Sequence, residues 1–126
     1  QGRINGQGFY TYNQGDKTIW SGLQDWLNPE LTLPHQDIKD RMLFRPVIET
    51  LRCLEENVLT NVADANVASI LGIGAPLWTG GYAQFVNTYG LSKFIKRCDE
   101  LAQAYGPRLK APQIAYDYLE QGKSFT

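Results

Sequence analysis

The chain has 126 residues, of which 43% are hydrophobic, 20% charged and 12% aromatic, and its formal net charge is −1. That length suits one ordinary domain and is too short for a cofactor domain plus a substrate domain. It is long enough to bury roughly two-thirds of its unfolded surface, so a hydrophobic core needs no staple. The near-neutral balance gives no basic field for nucleic acid and no polybasic membrane patch. No apolar run approaches the roughly 18 to 20 residues that cross a bilayer. Cys53 and Cys98 fall on separate predicted helices, with no Cys-x-x-Cys and no clustered His. They read as two free core thiols in a reducing cytoplasm, with a disulfide as the alternative.

The first residues, "QGRINGQGFY", carry neither an apolar signal-peptide core nor an initiator Met. They are expected to be a cut inside a longer protein. Residues 1–36 read as an irregular arm, because Gly2, Gly6, Gly8, Gly15, Gly22, Pro29 and Pro34 interrupt any period. Phe9, Tyr10, Tyr12, Trp20, Trp26 and Leu27 still punctuate it. A disordered tail is poor in such rings, so the arm is expected to lie across a surface.

From residue 37 the pattern is helical. Phe44, Val47, Ile48, Leu51, Leu54 and Val58 keep the spacing of one buried stripe, with Asp37 as N-cap and Pro46 inside the pattern as a source of a kink. Asn61 with Asp64 three residues on predicts the start of a short helix, "VADANVASIL", and Gly72 a left-handed end to it. Thr79 is expected to cap "GGYAQFVNTY", which Gly90 closes. Ser92 is expected to cap "KFIKRCDELAQAY", with Phe94, Ile95, Cys98, Leu101, Ala102 and Tyr105 on one face. Gly106-Pro107 stops that helix, and Pro112 falls at the first turn of a last one, "QIAYDYLEQG". No stretch alternates like a strand for more than four residues. The expectation is an all-α, five-helix domain over 37–126 preceded by the irregular arm.

The stretch "SILGIGAPLWTGG", Ser69 to Gly81, resembles a phosphate loop only superficially. A dinucleotide fingerprint needs G-x-G-x-x-G between a strand and a helix. Here Leu77 stands at the third position after Gly72 and Gly74, and from Gly6 and Gly8 the third position is Thr11. No Gly-Lys-Ser/Thr exists for a Walker loop. The glycines are expected to shape a tight helix–helix corner covered by Trp78. His35, the single histidine, has no partner visible in sequence. Arg45–Glu49 and Arg52–Glu56 are i, i+4 pairs, with Glu55 beside them, and predict an ion network on one helix. No metal-ligand spacing occurs. The residues by themselves assign no catalytic, cofactor-binding or metal-binding side chain.

At "NGQGFYTY" and "DRMLFRPVIETLRCLEENVLTNVADANVASILGIGAPLWTGG" the chain resembles the C-terminal region of 3-hydroxyacyl-CoA dehydrogenases, and within them the long bacterial multifunctional proteins of fatty acid β-oxidation. Gly6, Gly8, Phe9, Tyr10 and Tyr12 match "G-x-G-F-Y-x-Y", which follows the first of two helical copies in that family. Arg52 to Glu56 and Gly72 to Gly81 match the second copy. The resemblance implies the helical fold shared with 6-phosphogluconate dehydrogenase, and it implies that 1–36 combine the tail of the first copy with a linker. It also implies that NAD and the reactive His–Glu pair belong to a Rossmann domain outside this chain, so His35 inherits no role. Asp40-Arg41 stands where the first copy has "N-R", whose Asn helps place substrate. The Asp lacks the amide donor.

The resemblance therefore implies a structural domain, inactive alone, whose partners are the Rossmann domain and first helical copy of the same polypeptide. A thiolase subunit and a homodimer are further candidate partners. The competing expectation is a helical module that binds an acyl-CoA or a thiolase subunit through its aromatic arm and Trp78. The closing "SFT" is not a Ser-Lys-Leu-like tripeptide, which points away from the peroxisome and toward the cytoplasm.

Overall fold

The computed structural model describes residues 2–6 and 8–126, and the backbone but not the side chain of Arg3. The chain falls into two units, Gln1–Leu33 and Pro34–Thr126.

The first unit is not irregular throughout. Strands β1 (Tyr10–Asn13) and β2 (Asp16–Ile19) pair antiparallel, with Tyr10 opposite Ile19 and Asn13 opposite Asp16. Gln14 and Gly15, both at positive φ, make the two-residue turn that a right-twisted hairpin requires. A 3₁₀ helix follows over Ser21–Trp26. The sequence hid the hairpin because each strand is four residues long and alternates little: β2 is exposed at every position.

The second unit is the expected set of five helices: α1 (His35–Glu55), α2 (Val62–Leu71), α3 (Tyr82–Tyr89), α4 (Leu91–Tyr105) and α5 (Gln113–Glu120). Helix α1 is central and packs against each of the other four. Phe44, Val47, Ile48 and Leu51 are fully buried along it, as the period predicts. Leu54 is only half-buried, and Val58 lies beyond the helix with 69% of its surface exposed. The stripe ends early because Asn57 turns left-handed, at φ 57°, just past the cap residue Glu56. The helix runs through Pro46, and the Thr50 hydroxyl donates to the Pro46 carbonyl at 3.0 Å.

The core is aromatic at its centre. The Phe44 ring lies 4.9 Å from Phe94, 5.3 Å from Tyr89 and 6.0 Å from Phe85, the last two edge-on. Helix α4 contributes Phe94, Ile95, Cys98 and Leu101 from one face, with Ala102 and Tyr105 at its half-buried margin. Gly90, at φ 91°, is the single residue between α3 and α4: its N–H closes one helix on Val86 and its carbonyl opens the next on Phe94. The C-terminal tail is pinned as well. Phe125 is buried, stacks on Tyr118 at 4.6 Å, and exchanges two hydrogen bonds with the Asn87 amide.

Several caps differ from the sequence expectation. Asn61 does cap α2, accepting from the Asp64 N–H at 2.8 Å. Helix α1 instead begins after Pro34, which places Asp37 inside its first turn. Gly72 is right-handed at φ −86°, and the left-handed residue is Gly74. Helix α4 starts at Leu91 after Gly90, so Ser92 is within it and caps nothing. Pro112 is the residue before α5, one position earlier than expected. There Glu55 of α1 accepts the Ile114 N–H at 2.7 Å, an acidic cap supplied from another helix.

Candidate functional site

The densest polar constellation joins the start of α1 to α4. Asp37 and Asp40 are three residues apart, so a single turn puts both carboxylates on one face. Arg97 enters between them. Its Nη2 donates to Asp37 at 2.5 Å, its Nε to Asp40 at 2.7 Å, and its Nη1 to Glu100 at 3.1 Å. Gln36 donates to the other Asp40 oxygen at 2.7 Å, and the Tyr105 hydroxyl donates to Asp37 at 2.5 Å. The Arg41 guanidinium lies 4.4 Å from the centre of the Tyr105 ring.

The electrostatics follow from these contacts. The Tyr105 hydroxyl, and after it the Arg97 guanidinium, hold the Asp37 carboxyl below its ordinary value. The same bond to Asp37 pushes the Tyr105 phenol up, with burial adding to it. Hydrogen bonding to Asp37 raises Arg97 further, against the opposing effect of burial. Each shift moves its group further from neutral pH. Asp40 is 6% exposed, and each of its oxygens accepts one hydrogen bond from a neighbouring side chain. The arrangement clamps α1 to α4.

Arg97 and Tyr105 were not legible as members of this cluster, being 57 and 68 residues from their partners. The available signal was the pair of acids at i, i+3 in a half-buried first turn, which demands a cation from elsewhere. The network expected on α1 is present in altered form. Arg45 meets Glu49 at 3.0 Å, but Arg52 also turns to Glu49, at 3.6 Å, in place of Glu56. His35 opens α1 on its exposed side. Cys53 and Cys98 are free thiols, the first half-buried. Burial pushes Cys98 up to about 12, far from thiolate chemistry.

The glycine stretch joins α2 to α3 and holds helix ends. A Cβ on Gly81, whose φ is 105°, would sit 2.5 Å from the Asn66 Cα, so only glycine permits this approach. Two side chains of α2 then cap α3: Ser69 accepts the Tyr82 N–H at 3.1 Å and Asn66 the Gln84 N–H at 3.0 Å. Thr79 was expected in that role, but it braces the turn before the helix, between Pro76 O and the Gly81 N–H. Trp78 does not cover the joint; it touches Phe85 edge-on and stays 71% exposed. Two of the first amides of α3 are thus taken by α2.

A hollow of about 450 Å³ lies between α1 and α2, walled by Pro46, Cys53, Leu59, Ala65, Ala68 and Ile73. Its two hydroxyls, Thr50 and Ser69, are engaged with backbone groups. Among the described residues no cluster of metal-ligating side chains occurs, and no helix is long and apolar enough to cross a membrane.

Fold and site together define a helical body with a hairpin arm, whose densest polar cluster joins two helices. No family model matches the chain. It is 33% identical over 98% of its length to the fatty acid oxidation complex subunit alpha of Acinetobacter baylyi. To the subunits of that name in Vibrio parahaemolyticus and Acinetobacter baumannii it is 34% and 31% identical, over 99% and 98% of its length. In each case it spans 18% of the relative. The chain is thus similar to the C-terminal region of fatty acid oxidation complex alpha subunits.

Proposed function

We propose that this chain is the architectural C-terminal helical domain of an NAD-dependent 3-hydroxyacyl-CoA dehydrogenase of fatty acid oxidation, and that by itself it performs no hydride transfer. One observation carries the reading. Asp40, at the position where the resemblance places a substrate-positioning Asn in the first helical copy, is buried and bound by Arg97 and Gln36. A carboxylate spent on a helix clamp offers no amide to a thioester carbonyl, and its charge opposes a CoA phosphate. On this reading NAD and the proton-abstracting residue reside on other polypeptide of the parent protein, and the cytoplasm is its compartment. The test is direct: the 126-residue chain, mixed with acetoacetyl-CoA and NADH, is expected to show no absorbance loss above background. Turnover by the chain alone overturns the proposal.

A further inference from the structure

Among the described residues of the arm, 1–33, none is buried. An isolated two-stranded hairpin is marginal in water, and units under about 40 residues usually need a disulfide, a metal or a partner. The arm contains no cysteine. It does have one organised apolar feature. Phe9, Tyr10, Tyr12, Trp20, Leu23 and Trp26 line a hollow of about 780 Å³, and among the described residues of its wall none is charged. Phe9 is 75% and Trp26 82% exposed, a cost the arm's own fold does not offset. Backbone bonds from Gly8 to Tyr10 O and from Trp20 to Phe9 O tie together the segments that carry these rings.

We propose that this aromatic hollow is an interface, filled by apolar side chains of the polypeptide that precedes this region in the parent protein. The occupant follows from the comparisons. The chain spans 18% of its relatives and matches their C-terminal region, so most of their length lies N-terminal to the hairpin. A covalently attached partner acts at high effective concentration, so a modest interface suffices to order the arm. The inference rests on the architectural reading above.

Amide hydrogen exchange over Tyr10–Ile19 tests it, in the 126-residue chain and in the same chain joined to the preceding polypeptide of its parent. The hairpin amides are expected to exchange at least about ten-fold more slowly in the longer protein, with core amides of α1 as the internal standard. Phe9→Ala or Trp26→Ala in the longer protein is expected to return them to the fast rate. Equal hairpin protection in the two proteins, slow or fast, overturns the interface. Dehydrogenase activity read on the same longer sample separates the two proposals. Activity with an unprotected arm removes the interface only; protection without activity removes the functional reading only.

Discussion

Arg97 is the side chain on which the α1–α4 contact turns. It is 21% exposed and bonds three carboxylates, one of them on a side chain only 8% exposed. Removing one member of a half-buried ionic cluster leaves the remainder charged and unpaired, which costs more than the cluster gains over an apolar packing. Arg97→Ala is therefore expected to lower unfolding stability by about 3 kcal/mol, measured by urea denaturation at neutral pH. The pH dependence has a defined sign at each end. Asp37 is lowered in the folded state, so its contribution is present above its unfolded value and lost as pH falls through the lower folded one. Tyr105 is raised, so its contribution is present below its unfolded value and lost as pH rises through the higher folded one. Tyr105→Phe is expected to flatten both limbs of a plot of denaturation midpoint against pH; an unchanged alkaline limb contradicts the assignment.

Between elements, the α2–α3 corner shows how a short helix is stabilised by its neighbour. Helix α3 has eight residues, too few to persist by propensity, and its N-terminal glycine brings no capping side chain. Ser69 and Asn66 supply the missing acceptors from α2, and Gly81 makes room for them. The Tyr82 N–H that Ser69 accepts is buried. Ser69→Ala leaves that donor unsatisfied and is expected to cost about 1–2 kcal/mol, with helix content otherwise retained by circular dichroism. A loss no larger than that of an exposed serine shows that the cap is not felt.

At the scale of the whole molecule, the body and the arm obey different economies of surface. The body buries an aromatic centre and a pinned C-terminal Phe125, and has what a self-standing helical domain requires. The arm buries nothing of its own among the described residues. This asymmetry fits the architectural reading proposed above. The failure to oxidise NADH that the proposed function expects of the isolated chain belongs to this scale, because that proposal assigns the whole fold, and not one side chain, to architecture.

The helical body was legible in the sequence because local signals repeat: Phe44, Val47, Ile48 and Leu51 mark a face, and Asn61, Gly90 and Gly106-Pro107 mark ends. The clamp was not legible, since Asp37 looks like any N-terminal acid until α4 brings Arg97 to it. Nor were the caps donated across helices by Glu55, Asn66 and Ser69, because a hydrogen bond between distant residues leaves no periodic trace. Periodicity records which face of a helix is apolar; only packing decides which polar groups meet, as Asp40 meets Arg97 from another helix here.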